Sequence, residues 1–223
     1  MKKGIFVIGT GTDVGKTYVS ALLVKAMREA GMNVGYYKAA ISGADSIPHS
    51  DAGYVKQVSG IQQPDHTMVS YLYRTAVSPH LAARMEGNPV NLSRVMSDFN
   101  WVAEMHDFVV VEGSGGILCP IRDDAHTCLF LEDVIQALGL DTLLVADAGL
   151  GSINAVGLTV SYLKQKHIPT VGLLLNRFND SLMHTDNRTM IEKLTGLPTL
   201  ACIPQNADCL PLSPDALNLI KGV

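Results

Sequence analysis

Phe108-Val109-Val110-Val111 is apolar at every position, whereas a strand with one face in water alternates apolar and polar residues. A run of this kind needs protein over both faces. Comparable runs occur at residues 4–8, 33–37, 142–147, 170–176 and 199–203, and the valine run belongs to a strand over 108–112. Helical periodicity lies between them at 17–30, 93–105, 131–138, 153–165 and 184–195. Strand and helix in alternation predict βαβ crossovers. The expected fold is α/β: a mainly parallel sheet with helices on both faces, in three layers. The chain has 47% hydrophobic residues to fill such a core, and its 17% charged residues fall below the usual ~25%. No repeat, low-complexity tract or charge run marks a linker, so residues 1–223 are expected to form one domain. Residues 41–91 are polar, with Pro48, Pro64, Pro79 and Pro89, and are expected to mix loops with short helices.

Between the first strand and the first helix stands Gly9-Thr10-Gly11-Thr12-Asp13-Val14-Gly15-Lys16-Thr17. Glycines let successive backbone N–H groups converge on anionic oxygens, and a helix amino terminus adds a favourable dipole. Lys16 can reach β- and γ-phosphates, and the Thr17 hydroxyl can ligate magnesium. The usual loop has four residues between its glycines; here five separate Gly9 from Gly15. Gly15-Lys16-Thr17 in a strand–loop–helix setting still reads as a P-loop NTPase-like site for a nucleoside triphosphate. A dinucleotide site is the competing reading. It needs a third glycine where Val14 stands, and an acid closing the second strand where Lys38 stands.

The formal net charge of −4 leaves no basic footprint for nucleic acid. The apolar run after Met1-Lys2-Lys3 is too short for a signal peptide, and nothing approaches the ~20 apolar residues of a membrane span. A soluble, cytoplasmic protein acting on small molecules is expected, with no membrane or nucleic-acid partner. Cys119, Cys128, Cys202 and Cys209 show neither a CxxC pair nor zinc spacing, and read as reduced, mostly buried thiols.

Ligands of such sheets bind beyond the carboxyl ends of the strands, where the polar residues should gather. Lys38 closes the second predicted strand and should lie beside the phosphate loop, since consecutive strands are commonly neighbours. A second cation there would stabilise charge on a transferring phosphoryl group. Glu112 closes the 108–112 strand and leads into Gly113-Ser114-Gly115-Gly116, the position of the carboxylate that holds magnesium in phosphate-loop enzymes. Gly149-Leu150-Gly151-Ser152-Ile153-Asn154 opens a helix and offers a second anion site. Asn176 closes a strand with both a donor and an acceptor, as adenine's edge requires, or simply forms a turn. His80, in Ser78-Pro79-His80, either carries chemistry or only starts a helix.

Together these residues resemble the dethiobiotin synthetase family from Gly4 to about Leu210. The most specific markers are the five-residue loop spacing, Lys38 with Ser42-Gly43, Ser78-Pro79-His80, and Val111-Glu112-Gly113-Ser114-Gly115-Gly116. The resemblance implies an ATP- and Mg2+-dependent ligase that closes a cyclic urea from CO2 and 7,8-diaminononanoate. It implies that Thr12, Asp13, Val14, Gly15, Lys16, Thr17 and Tyr18 wrap the phosphates, with Gly113, Ser114 and Gly115 close by. Thr17, Asp51 and Glu112 would hold magnesium, Lys38 and Lys16 would be catalytic, and Ser42 would touch substrate. Asn176 and Arg177 would meet the base, flanked by Pro204, Gln205 and Asn206. A homodimer is implied too, with Gly151, Ser152, Ile153 and Asn154 of one subunit receiving the substrate carboxylate at the interface. The chain departs from the family's habit at Ala39, where proline is common, and at Asp13, where glutamate is usual. Two other readings fit the phosphate loop: a different phosphate-loop amidoligase, or a nucleotide-dependent switch or partitioning ATPase. The latter often carries a lysine where this chain has Thr10.

Overall fold

The computed structural model describes residues 3–222; Met1-Lys2, with which the amino-terminal reading began, and Val223, which closes the expected domain, lie outside them. The strands are β1 (Gly4–Gly9), β2 (Val34–Ser42), β3 (Val69–Tyr73), β4 (Phe108–Glu112), β5 (Pro120–Asp123), β6 (Cys128–Phe130), β7 (Asp141–Asp147), β8 (Thr170–Asn176) and β9 (Thr199–Ile203). The helices are α1 (Lys16–Glu29), α2 (Asp51–Ser59), α3 (Pro79–Met85), α4 (Leu92–Met105), α5 (Leu131–Leu138), α6 (Ser152–Gln165), α7 (Leu182–Thr195) and α8 (Pro214–Lys221). Seven strands form one sheet in the order β3-β2-β4-β1-β7-β8-β9, and every pairing in it is parallel.

Strand alternation distributes the core between the two faces. Phe6, Ile8, Val109 and Val111 pack with Val95, Phe99 and Val102 of α4 and with residues of α3, α5, α6 and α7. Ile5, Val7, Phe108 and Val110 pack on the opposite face with α1, α2 and Ile220 of α8. The three layers expected from the sequence are therefore present. The same parity places Glu112 and Lys38 on the α1 side, because they follow Val110 and Tyr36 by two residues and are register partners.

Several expectations are corrected. Lys38 does not close β2: the strand runs on to Ser42 because Lys38, Ala40, Ile41 and Ser42 pair with β3, an edge strand within the stretch expected to hold loops and short helices. Nor is β2 the neighbour of β1, since β4 lies between them. Lys38 reaches the phosphate loop across Glu112 instead. Helices α2 and α3 are the short helices expected among residues 41–91, whereas α8 and the antiparallel β5–β6 hairpin are additions. The cysteines are unpaired, but Cys128 and Cys209 are exposed and the other two half-buried, so they are not mostly buried. Among the described residues no helix is long and apolar enough to cross a membrane.

Candidate active site

The loop after β1 folds as a cradle because two positions need glycine. Gly15, the residue before α1, has φ 89°, and a Cβ there would overlap the Asn176 amide. A Cβ on Gly9 would lie 2.9 Å from both Val14 Cγ2 and Lys16 Cδ. Asp13 also takes a left-handed φ of 60°. The Lys16 ammonium donates to the Gly11 carbonyl over 2.7 Å, curling across the loop. Burial lowers its pKa from the ordinary lysine value, a shift that Glu112 partly offsets.

Beside the loop lies a knot of ionic groups centred on Glu112, whose side chain is fully buried. Glu112 Oε1 accepts from Thr17 Oγ1 at 2.7 Å and from Lys38 Nζ at 2.6 Å, and its Oε2 accepts from the Tyr36 hydroxyl at 2.9 Å. Lys38 Nζ also reaches Asp51 Oδ2 at 2.5 Å. Burial alone would lower the pKa of Lys38, but Glu112 and Asp51 outweigh it and hold the ammonium above its ordinary value. A buried charge persists only when paired and hydrogen-bonded, and this knot satisfies that condition. It opens on a cleft of about 610 Å³ whose lining includes Thr12, Asp13, Ser42, Tyr54 and Gly115. The Ser42 hydroxyl on its wall donates to the Val77 carbonyl. Ser114 instead turns its hydroxyl to the Ala40 carbonyl, and neither it nor Gly113 lines the cleft.

The donor set suits a hard divalent cation. Thr17 and the two carboxylates offer only oxygens, as magnesium requires, and phosphate oxygens and water would complete an octahedron. The Lys38 ammonium between Asp51 and Glu112 shows that the position accepts positive charge. Among the described residues no group of three or more His, Cys, Asp or Glu side chains is assembled for a metal. Any metal there therefore depends on the Thr17 hydroxyl and on ligands from the nucleotide.

Past the loop, Asn176 donates from Nδ2 to the Val14 carbonyl at 2.9 Å, and its Oδ1 is buried with no partner. It lines a pocket of about 130 Å³ with Gly15, Tyr18, Arg177, Gln205 and Asn206. Pro204 stands outside that lining. The Tyr18 hydroxyl bonds to the Ala207 carbonyl, which directs the ring to this pocket as well as to the cleft. Arg177 bridges Asp147 Oδ2, at 2.6 Å, and the Asp13 carbonyl, at 2.7 Å. Gly151, with φ 91°, precedes α6, and Asn187 holds the approach by donating to the Ala148 and Gly149 carbonyls. Ser152 Oγ is buried without a partner. Gly151, Ile153 and Asn154 line a separate surface concavity with Leu158 and Leu194; within one chain they do not join Lys38 and Ser42. His80 likewise lies elsewhere, in a concavity shared with Arg84 and Arg122.

A family model described as an AAA domain matches residues 3–212. The ATP-dependent dethiobiotin synthetase BioD of Brachyspira hyodysenteriae is 48% identical over 204 residues, covering 91% of this chain and 92% of that protein. The chain belongs to the dethiobiotin synthetase family. The protein of the same name from Clostridium botulinum strain Eklund 17B is 42% identical over 93% of each chain. Among solved structures, the MinC:MinD cell division complex of Aquifex aeolicus matches with a TM-score of 0.58 at 14% identity, over 97% of this chain and 85% of that one. A ParA family ATPase from Chlorobium tepidum matches at 0.56 and 16% identity, over 100% and 90%. At such identities the two structures speak for the fold alone.

Three residues beside the loop and Lys38 were not among those singled out in the sequence. Tyr36 and Gln63 are buried and hydrogen-bonded to each other, with the Tyr36 hydroxyl on Glu112, and Tyr54 sits on the cleft wall. Tyr36 was discoverable, because it precedes Lys38 by two residues on a strand and must share its face.

Proposed function

We propose that the chain is an ATP-dependent dethiobiotin synthetase in which one cleft brings a nucleotide's terminal phosphate against Lys16 and Lys38. The observation that carries this reading is the Lys38 ammonium, buried yet fully paired, between Glu112 and Asp51 at the mouth of the phosphate loop. Thr17, Glu112 and Asp51 are the residues that would hold magnesium, which supplies charge neutralisation for the phosphates when bound. Asp13, Gly15 and the start of α1 offer N–H groups to the phosphates. Asn176, whose donor is already used by Val14, offers its free acceptor to an amino-bearing base such as adenine.

One substrate amine adds to CO2, losing a proton and giving a carbamate. The carbamate oxygen attacks the γ-phosphorus, and the bond to ADP breaks. The second amine then attacks the carbamoyl carbon, closing the ring and expelling phosphate with loss of a proton. Phosphoryl transfer depends mainly on positioning and charge stabilisation, which assigns the work to Lys16 and Lys38. Ser42 on the cleft wall is the proposed substrate contact. Gly151, Ser152, Ile153 and Asn154 are proposed to take the substrate carboxylate across a homodimer interface. Leu158 and Leu194 in that concavity and Leu150 beside Gly151 are exposed, as an apolar interface would need. We further infer one catalytic domain and a cytoplasmic location, where ATP is available. Steady-state ADP release tests the reading: it should require 7,8-diaminononanoate and bicarbonate together and yield the cyclic urea in equal amount. Turnover on other amines and carboxylates in place of the diamine would overturn it.

A further inference from the structure

Both oxygens of Glu112 are occupied, and by groups of different kinds. Oε1 faces Thr17 and Lys38, the groups of the reaction cleft, while Oε2 is taken by the hydroxyl of Tyr36, which no proposed role yet uses. Tyr36 is fully buried and rigidly mounted. Its backbone lies on β2 before the pairing with β3 begins at Lys38, and there the side chain of Gln63 replaces the missing strand. Gln63 Oε1 accepts from the Tyr36 N–H at 2.8 Å, and its Nε2 donates to the Tyr36 carbonyl at 2.9 Å. Ring and backbone are thus both fixed, and the hydroxyl proton has a single destination on Glu112.

We infer that Tyr36 is a positioning residue for the divalent cation: by holding Glu112 Oε2, it leaves Oε1 alone to act as a one-oxygen ligand, the mode magnesium favours. Calcium accepts larger and more irregular shells and commonly takes both oxygens of a carboxylate, whereas magnesium demands a tight octahedron with few protein oxygens. Groups that orient a ligating carboxylate from behind typically change metal affinity by about 10–100-fold when removed. Tyr36 therefore sets both the strength and the selectivity of the cation site. This inference rests on Glu112 being a metal ligand, as proposed above.

The test measures binding of a non-hydrolysable ATP analogue to the full chain by calorimetry, without divalent cation and across magnesium and calcium titrations. Tyr36→Phe keeps the ring and removes only the hydroxyl. Its binding without cation should stay within about twofold of the parent, its half-saturating magnesium should rise about tenfold, and its preference for magnesium over calcium should narrow. A purely structural role would weaken binding equally with and without cation, and that result would overturn the inference. So would an unchanged magnesium dependence in a folded variant. If Tyr36→Phe does not fold, 3-fluorotyrosine placed at position 36 makes the hydroxyl a stronger donor and should lower the half-saturating magnesium; no change would overturn the inference. Glu112→Gln serves as the control. If that variant keeps the parent's magnesium dependence, Glu112 is not a ligand, and both the site reading and the role of Tyr36 fall. If it loses the dependence while Tyr36→Phe keeps it, only the role of Tyr36 falls.

Discussion

On the β4–β2 side of β1, the central ion pair is sealed from water: the side chains of Lys38 and Glu112 are 6% and 0% exposed, and only the outer partner, Asp51, is open to the cleft. On the β7–β8 side, Asp147 and Arg177 pair with 41% of each side chain in solvent, close to leucines as open as Leu150 at 94%. The difference separates two kinds of work. Buried charges must be matched in advance, since an unpaired one costs several kcal/mol, so the end proposed to react is organised before ligand arrives. Exposed pairs hold their loops with ~1 kcal/mol or less, so the far end can be completed by a ligand or a second copy.

Lys38→Ala tests the sealed side most severely. Turnover should fall about 10²–10³-fold, the usual loss for one preorganised charge contact, while nucleotide affinity changes by only about a few fold. Near-normal ADP release from that variant would move the chemistry away from the sealed side. Leu158→Glu probes the open side. A charge in the proposed interface should raise the dimer dissociation constant about 30-fold, equivalent to roughly 2 kcal/mol, as read by sedimentation velocity. A parent protein that stays monomeric at working concentration would break this half of the contrast.

Asn176→Ala sharpens the boundary between the two sides. Losing one buried acceptor should weaken ATP binding by roughly 1 kcal/mol, about fivefold, yet leave tripolyphosphate binding nearly unchanged. Equal losses for both ligands would mean that Asn176 acts through the loop rather than on the base. The smallest effect concerns Asp147. Burial would raise its carboxyl pKa, but Arg177 and the Gly149 N–H outweigh that and hold it below its ordinary value of 3.8. A depressed acid stabilises the fold above the unfolded-state value, and that contribution disappears as pH falls through the folded-state value. Asp147→Asn should therefore cost about 0.5 kcal/mol at pH 7, a figure kept low by solvent screening. In urea titrations the gap to the parent should close below about pH 4; a gap independent of pH would contradict the pairing.

What could be read from the sequence follows this same division. The central strands β1, β4, β7 and β8 are apolar except toward their ends, so burial on both faces was visible in the residues themselves. β3 was not, because Val69-Ser70-Tyr71-Leu72-Tyr73 at a sheet edge carries a weak pattern and its pairing with β2 is non-local. That omission also shortened β2, since a lysine inside a buried strand is improbable unless Glu112, far away in sequence, is known to meet it. Gly15, Lys16 and Thr17 announced a phosphate site through local spacing alone. Tyr36 was signalled only by its place two residues before Lys38 on one strand, and Gln63 announced nothing, because its significance lies in what it touches. Asn187 gave no sign for the same reason, reaching back to Ala148 and Gly149 from α7.

Gly15 carries one more implication. With no side chain, it lies flat against Asn176, which also grips Val14, so the floor proposed for the phosphates and the edge proposed for the base are one piece. On that proposal the protein holds a fixed caliper against its nucleotide, gauging the span from base to phosphate. A bulkier residue at position 15 would wedge the jaws apart and spoil both ends at once, whichever end it was meant to alter.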